Sequence, residues 1–282
     1  MINLRKICVI NQKGGVGKTT TTINIAAGLS RNDKKVLVID FDAQGNIATS
    51  LNIENDKDIY DILTENADIG QCAKNIGKNL DIILSKESLT KTEVMIAKIQ
   101  NKEKILKTKL KNLTSYDYVL IDCPPSLGLL NQNALLYAQE AFIPVSTDYL
   151  GYDALLKMEK VIEEINLHFK HNLKITKVIP TLFDKRNKTC IKFLDKITSQ
   201  FYEITSNPIR VNSKIKEAPA YGKSIFSYAK SSRGAKDYME LVKLILNEEK
   251  QVLSAYSKSE NIVPLNDPRV LDELRKKVGS NA

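Results

Sequence analysis

Six short runs of mostly apolar residues punctuate the chain, at positions 7–10, 35–39, 80–84, 118–121, 141–145 and 175–180. Each is too short for a helix and too continuously apolar for a strand with one wet face, so each is predicted to be a strand buried on both sides. The last two close on Pro144–Val145 and on Pro180. Between the runs the apolar spacing changes to that of a helix. Residues 19–30 place Ile23, Ala26, Ala27 and Leu29 on one stripe, 90–113 form a long polar helical pattern, and 152–169 and 232–256 follow. Strands alternating with helices predict an α/β fold: a doubly wound, mainly parallel sheet with helices on both faces. No internal repeat or low-complexity linker interrupts the alternation.

Composition narrows the class. At 282 residues and 43% apolar content, the chain can bury a sizeable core. Its four cysteines, Cys8, Cys72, Cys123 and Cys190, are widely spaced and accompanied by only two histidines. That pattern argues against a zinc site or a disulfide framework and fits a reducing, cytoplasmic setting. No signal peptide is visible and no apolar stretch reaches membrane-spanning length, so a membrane role is not expected.

The chemistry sits where strands end. After the first run comes Asn11-Gln12-Lys13-Gly14-Gly15-Val16-Gly17-Lys18-Thr19-Thr20. A strand leading through a glycine-rich turn into a helix offers inward-pointing N–H groups and a positive helix end, which suit nucleotide phosphates. Lys18 is placed for the β- and γ-phosphates and the Thr19 hydroxyl for Mg²⁺. Gln12 stands where the common pattern has glycine, and Lys13 adds a second lysine at the start of the loop. Since Lys18 already serves the phosphates of its own subunit, Lys13 is better explained as reaching a nucleotide held by a second subunit. The second run ends in Asp40-Phe41-Asp42-Ala43-Gln44-Gly45-Asn46, and the fourth in Asp122-Cys123-Pro124-Pro125-Ser126-Leu127-Gly128. Ligands of open α/β sheets bind outside the carboxyl ends of the strands, so these carboxylates are expected to face the phosphates. Asp122 is expected to support the metal directly or through water.

The loop resembles the deviant Walker A element, K-G-G-x-G-K-[ST], of the ParA/MinD family of P-loop ATPases. The two acidic segments resemble that family's switches, the second in its ParA form. The resemblance covers about residues 5–248 and is to the short form of ParA; it implies an ATPase domain over 1–250 and an extension over 251–282. It implies ATP and Mg²⁺ as cofactors, with contacts from Lys13, Gly14, Gly15, Val16, Gly17, Lys18, Thr19 and Thr20. Catalytic roles are implied for Lys13, Lys18, Asp42 and Asp122, with Asp42 orienting the attacking water. Thr19, Asp40 and Asp122 are implied at the metal. Ala43 departs from the proline common in the first switch, removing no chemical group. Glu217-Ala218-Pro219-Ala220-Tyr221-Gly222-Lys223 resembles the family's adenine loop and makes Pro219 an adenine contact; a plain turn proline is the alternative.

Charge supplies the remaining clue. The formal net charge is +9, and residues 170–216 carry eleven Lys/Arg against three acids, an excess of eight. Such a one-sign field draws polyanions, although a solvated basic face is the plainer explanation. By resemblance, Arg186 and Lys214 occupy the family's DNA-contacting positions, with Lys185, Lys188, Lys192 and Lys216 as neighbouring candidates. No base-reading motif accompanies them, so binding is expected to be non-specific. The expected protein is a homodimer when ATP-bound, nucleoid-associated, partitioning a plasmid or chromosome under stimulation by a ParB-type partner. Alternatives are MinD-like or other cargo positioning, and a nucleotide-gated DNA-binding repressor with negligible turnover. In the tail, 269–278 could form a short helix with Val270, Leu271, Leu274 and Val278 on one side, lying on a membrane, packed on a protein, or unfolded.

Overall fold

The computed structural model of the protein describes residues 4–260. The chain divides into two compact units, residues 1–242 and 243–282. The first contains a seven-stranded sheet. Its strands are β1 (Arg5–Val9), β2 (Val36–Asp40), β3 (Ala73–Gly77), β4 (Leu80–Ile83), β5 (Tyr118–Asp122), β6 (Glu140–Ser146) and β7 (Lys174–Thr181). Their spatial order is β3-β4-β2-β5-β1-β6-β7, and every pairing is parallel except β3 with β4. Every residue of β2 and β5 is buried. The helices are α1 (Lys18–Arg31), α2 (Asn46–Leu51), α3 (Ile59–Thr64), α4 (Ile69–Cys72), α5 (Leu89–Ile96), α6 (Ile105–Lys109), α7 (Leu129–Tyr137) and α8 (Tyr149–Phe169). They continue with α9 (Lys188–Gln200), α10 (Ser213–Glu217), α11 (Ile225–Tyr228) and α12 (Arg233–Glu260). In the second unit, the chain is helical from residue 243 to Glu260 as part of α12. The expected tail helix at 269–278 lies outside the described residues.

All six predicted strands and the doubly wound, mainly parallel arrangement are present. The helix expected over 90–113 is not one helix. It breaks after α5, Asn101 adopts φ 56°, and a single 3₁₀ turn (Lys102–Lys104) leads into α6. Buried Asn133 of α7 clasps the break: its Oδ1 accepts from Leu106 N at 3.1 Å and its Nδ2 donates to Lys102 O at 2.8 Å. Pro144 and Pro180 lie inside their strands and do not close them. Pairing of β6 with β1 ends at Phe142, so Pro144 has no ladder partner on that side, and Pro180 belongs to a sheet-edge strand. Edge strand β3 was not predicted; Ala-Lys-Asn-Ile-Gly has no apolar run to signal it.

The topology selects one place for a ligand. From β1 the chain crosses to β2, two positions to one side, whereas β6 flanks β1 on the other. A crevice opens at such a reversal, at the carboxyl ends of the strands. Register aligns those ends: Val9 and Asp40 each pair with Asp122. Near the far end of α1, Gly28 leaves room for Val242 and Phe226 to pack against the helix; a Cβ there would come within 2.5 Å of Val242 Cγ2.

Candidate functional site

The loop between β1 and α1 is shaped by glycines where other residues strain. Gly15 and Gly17 take φ values of 74° and 88°, which L side chains rarely adopt. A Cβ placed on Gly14, Gly15 or Gly17 would meet nothing within 4 Å, so each of these glycines borders open space. Asn11, fully buried, pins its start by donating to Pro144 O at 2.8 Å and accepting from Lys13 N at 2.9 Å. From the sheet edge, Thr181 Oγ1 donates to Val16 O at 2.8 Å. Lys18 curls back over the loop toward Lys13 O at 3.5 Å. Burial lowers its pKa, while Asp122 and Asp42 pull the other way.

Beneath the loop stand the carboxylates. Thr19 Oγ1 donates to Asp122 Oδ2 at 2.6 Å, and Thr22 Oγ1 reaches Asp122 Oδ1 at 3.1 Å. Asp40, on the neighbouring strand at the same register, accepts from Asp42 N at 3.1 Å and Ile47 N at 3.2 Å. Burial pushes Asp122 up to about 6 against the pull of Thr19, Thr22 and Lys18; burial and then Asp122 push Asp40 up as well. Two buried acids with raised proton affinity, Asp40 pushed up further by Asp122, stand beside an open glycine cradle and a threonine hydroxyl and fit a divalent cation held between protein and phosphate. No cluster of three or more His, Cys, Asp or Glu suited to a metal exists among the described residues, so a cage made of protein alone is not on offer. Asp42 is half-buried at the crevice, its Oδ1 accepting from Gln44 N at 3.1 Å.

Lys13 points along its own chain. Its Nζ donates to Asp148 Oδ1 at 2.7 Å and Ser146 Oγ at 2.9 Å, at the junction of β6 and α8. Asp148 also caps α8 through Gly151 N at 2.7 Å. Burial raises the Asp148 pKa, but bonding to Lys13 and Gly151 outweighs this, leaving it below the ordinary value. Cys123 is buried, and burial raises its pKa well above the thiol range, so it is no nucleophile. Pro219 lies in the 3₁₀ turn Ala218–Tyr221, which packs against α2.

The basic candidates form a separate group. Lys185 and Arg186 follow β7, Lys188 and Lys192 open α9, and Lys214 and Lys216 belong to α10. Val211 N donates to Phe183 O at 2.9 Å and Phe183 N to Ile209 O at 3.2 Å, which lays the two basic segments side by side. Both lead candidates hold an acid: Arg186 makes a bidentate pair with Asp184, and Lys214 Nζ meets Glu217 Oε2 at 2.7 Å. The Arg186 bond pulls Asp184 down to about 2. Sequence reasoning missed Asn11, Thr22, Asp148 and Thr181. Asn11 and Thr22 adjoin or extend the loop motif, whereas Asp148 and Thr181 enter only through tertiary packing.

Residues 4–175 match the family model described as an AAA domain. The chain is 37% identical over 243 residues to the sporulation initiation inhibitor protein Soj of Bacillus subtilis, spanning 84% of this chain and 96% of that protein. It is 34% identical to the chromosome-partitioning ATPase Soj of Treponema pallidum, spanning 88% and 99%. Among solved structures it resembles cobyrinic acid a,c-diamide synthase from Mycobacterium smegmatis with bound ATP analogue and magnesium. There the TM-score is 0.75 and the identity 27%, over 88% of this chain and 96% of that one.

Proposed function

Because the chain belongs to the ParA/MinD family of P-loop ATPases, we propose that it is an ATP-driven switch for partitioning a plasmid or chromosome. The observation that carries this reading is the meeting of Thr19, Asp122 and Asp40 under an open glycine cradle. In it, residues 14–20 bind the phosphates of ATP, with Lys18 on the β- and γ-phosphates and Pro219 beside the adenine. When bound, Mg²⁺ would supply neutralisation of the phosphate charge. Thr19 and Asp122 hold it, and Asp40 supports it from the next strand. Asp42 orients the water that attacks the γ-phosphate.

Lys13 exchanges its bonds to Asp148 and Ser146 for the phosphates of a second subunit, so dimerisation requires ATP. Phosphoryl transfer depends on positioning and charge neutralisation, so turnover by the protein alone is weak and a ParB-type partner stimulates it. Arg186 and Lys214, with Lys185, Lys188, Lys192 and Lys216, form a surface for non-specific DNA, and the protein works on the nucleoid in the cytoplasm. Residues 1–250 serve as the ATPase body and 251–282 as an extension.

The test is binding to two unrelated DNA duplexes with ATP, ADP or no nucleotide, across a salt series. Equal binding to both, seen only with ATP and falling steeply with salt, is expected. Absence of DNA binding with every nucleotide would remove the partition reading while leaving the ATPase.

A further inference from the structure

Helix α1 packs mainly on β2 and β5, and where it leaves β4 a cavity of about 420 Å³ opens. Alternation along the strands puts Val38, Leu80 and Ile82 on one face, since Val38 pairs with Ile82 and Val36 with Leu80. These three line the cavity with Ile23 and Leu51, while Ala27 lends only a methyl group from α1. Gly77, at the end of β3, borders open space: a Cβ there would meet nothing within 4 Å. No residue of the phosphate loop and neither buried carboxylate belongs to the lining.

The charged part of the lining is one-sided. It holds Arg31, Lys78 and Lys223 against a single acid, Asp33. Lys78 Nζ meets Asp33 Oδ1 at 2.7 Å, so that pair is closed. Arg31 and Lys223 have no acidic partner among the described residues. The Arg31 guanidinium donates to Ser227 Oγ at 3.0 Å and stands 5.8 Å from the Phe226 ring centroid. That contact uses one of its five N–H donors and leaves the others for a ligand. Two cations without acids, beside an apolar cavity of this size, describe a ligand with a hydrocarbon body and one anionic head.

We propose that this cavity binds a free amphiphilic acid, a carboxylate or sulfonate on an aliphatic or aromatic body. Arg31 and Lys223 hold the head group, and Val38, Leu51, Leu80 and Ile82 surround the body. Arg31 can meet a carboxylate through two parallel N–H bonds, and Lys223 adds a point charge. Inorganic phosphate alone is a poor match, because it would leave the apolar lining uncovered. A head group at this place joins the end of α1 to residues 222–227, which directly follow the turn that carries Pro219.

The probe is anilinonaphthalene sulfonate, an aromatic anion that fluoresces on apolar surface, titrated into the full chain and then displaced by decanoate. Saturable binding and displacement are expected. Decanol and acetate should compete at least about tenfold less well, since one lacks the charge and the other the body. Excess ATP with Mg²⁺ should leave the probe in place. Arg31→Glu with Lys223→Glu, both at exposed positions, should weaken the probe and decanoate by about tenfold or more. Ala27→Trp, checked for folding by circular dichroism, should do likewise by filling the cavity. Absence of saturable binding, or unchanged affinity in the charge-reversed protein, overturns the proposal. Displacement by ATP or equal competition from decanol overturns it too. So does sedimentation with phosphatidylglycerol vesicles that the charge reversal abolishes, which would make a lipid surface, and not a free acid, the source of the head group.

Discussion

The carboxyl ends of β1, β2 and β5 and the segment 183–217 both gather charge, but they gather it under opposite conditions. At the strand ends, Lys18, Asp40 and Asp122 are buried, and sheet register sets the separation of the two acids. In the basic segment, Arg186 and Lys214 are exposed and hold acids two and three residues away. Buried charges cannot be rearranged by solvent, so their arrangement defines a ligand of one shape and charge. Exposed pairs are screened and exchangeable, so they define only a sign. The first region suits a metal and phosphates in fixed geometry; the second suits a backbone of phosphates whose sequence does not matter.

The sharpest way to break this comparison is to remove a buried charge. Lys18→Ala or Asp122→Ala is expected to lower phosphate release by roughly 10²–10³-fold or more in a steady-state assay. A loss of only a few fold would mean that the strand ends are not the chemical site. Acid should act on the same group more gradually. Asp122 binds its proton up to about pH 6, above the ordinary carboxylate value, so Mg²⁺-dependent nucleotide affinity should fall as pH drops through about 6. The expected limit is about tenfold per pH unit. The sign reverses for the ligand-free fold. Between the unfolded and folded pKa values the native state holds the extra proton, so this group's contribution to stability declines as pH rises to about 6. Titration calorimetry and thermal melts between pH 5 and 8 would show the two opposite trends.

Gly17→Ala should have an intermediate effect. At φ 88° the added Cβ costs about 1–2 kcal/mol, which corresponds to about a tenfold loss of nucleotide affinity by fluorescence titration if the strain is relieved only when the loop opens. Space alone would not predict this, since a Cβ there meets nothing. The smallest effect belongs to the exposed region. Asp184→Ala with Glu217→Ala releases Arg186 and Lys214 and should strengthen ATP-dependent DNA binding a few fold. The slope of log affinity against log salt should steepen by at most about 0.9 for each additional phosphate neutralised. Arg186→Glu should do the opposite. If the double release weakened DNA binding, the acids would be positioning the cations and not competing for them.

The same contrast explains what was legible in the sequence. Residues 7–10, 35–39 and 118–121 are continuous apolar runs because parallel strands are covered on both faces, and a motif at the end of a run inherits its position. Gly15 and Gly17 were legible because positive φ restricts the residue type. Asp148 was not, since nothing in its neighbourhood announces that Lys13 will meet it. The break at Asn101 was hidden for a similar reason: the clasp comes from Asn133, on another helix. The pairing of Arg186 with Asp184 was local enough to be read, yet counting charges by sign passes over partners.

One further consequence concerns time. Strand β1 precedes the other six in the chain but lies inside the sheet, where Arg5 pairs with Tyr118 and Ile7 with Glu140. Asn11 waits for Pro144, and Lys13 for Asp148. A nascent chain that has not reached these residues therefore lacks both neighbours of β1 and the anchor of its glycine loop. At roughly 10 residues per second, about ten seconds of synthesis separate the appearance of the phosphate loop from that of its support. During that interval the apolar residues of β1 and β2 have no finished sheet to join, and parallel pairings between strands so far apart in the chain are intrinsically slow to form.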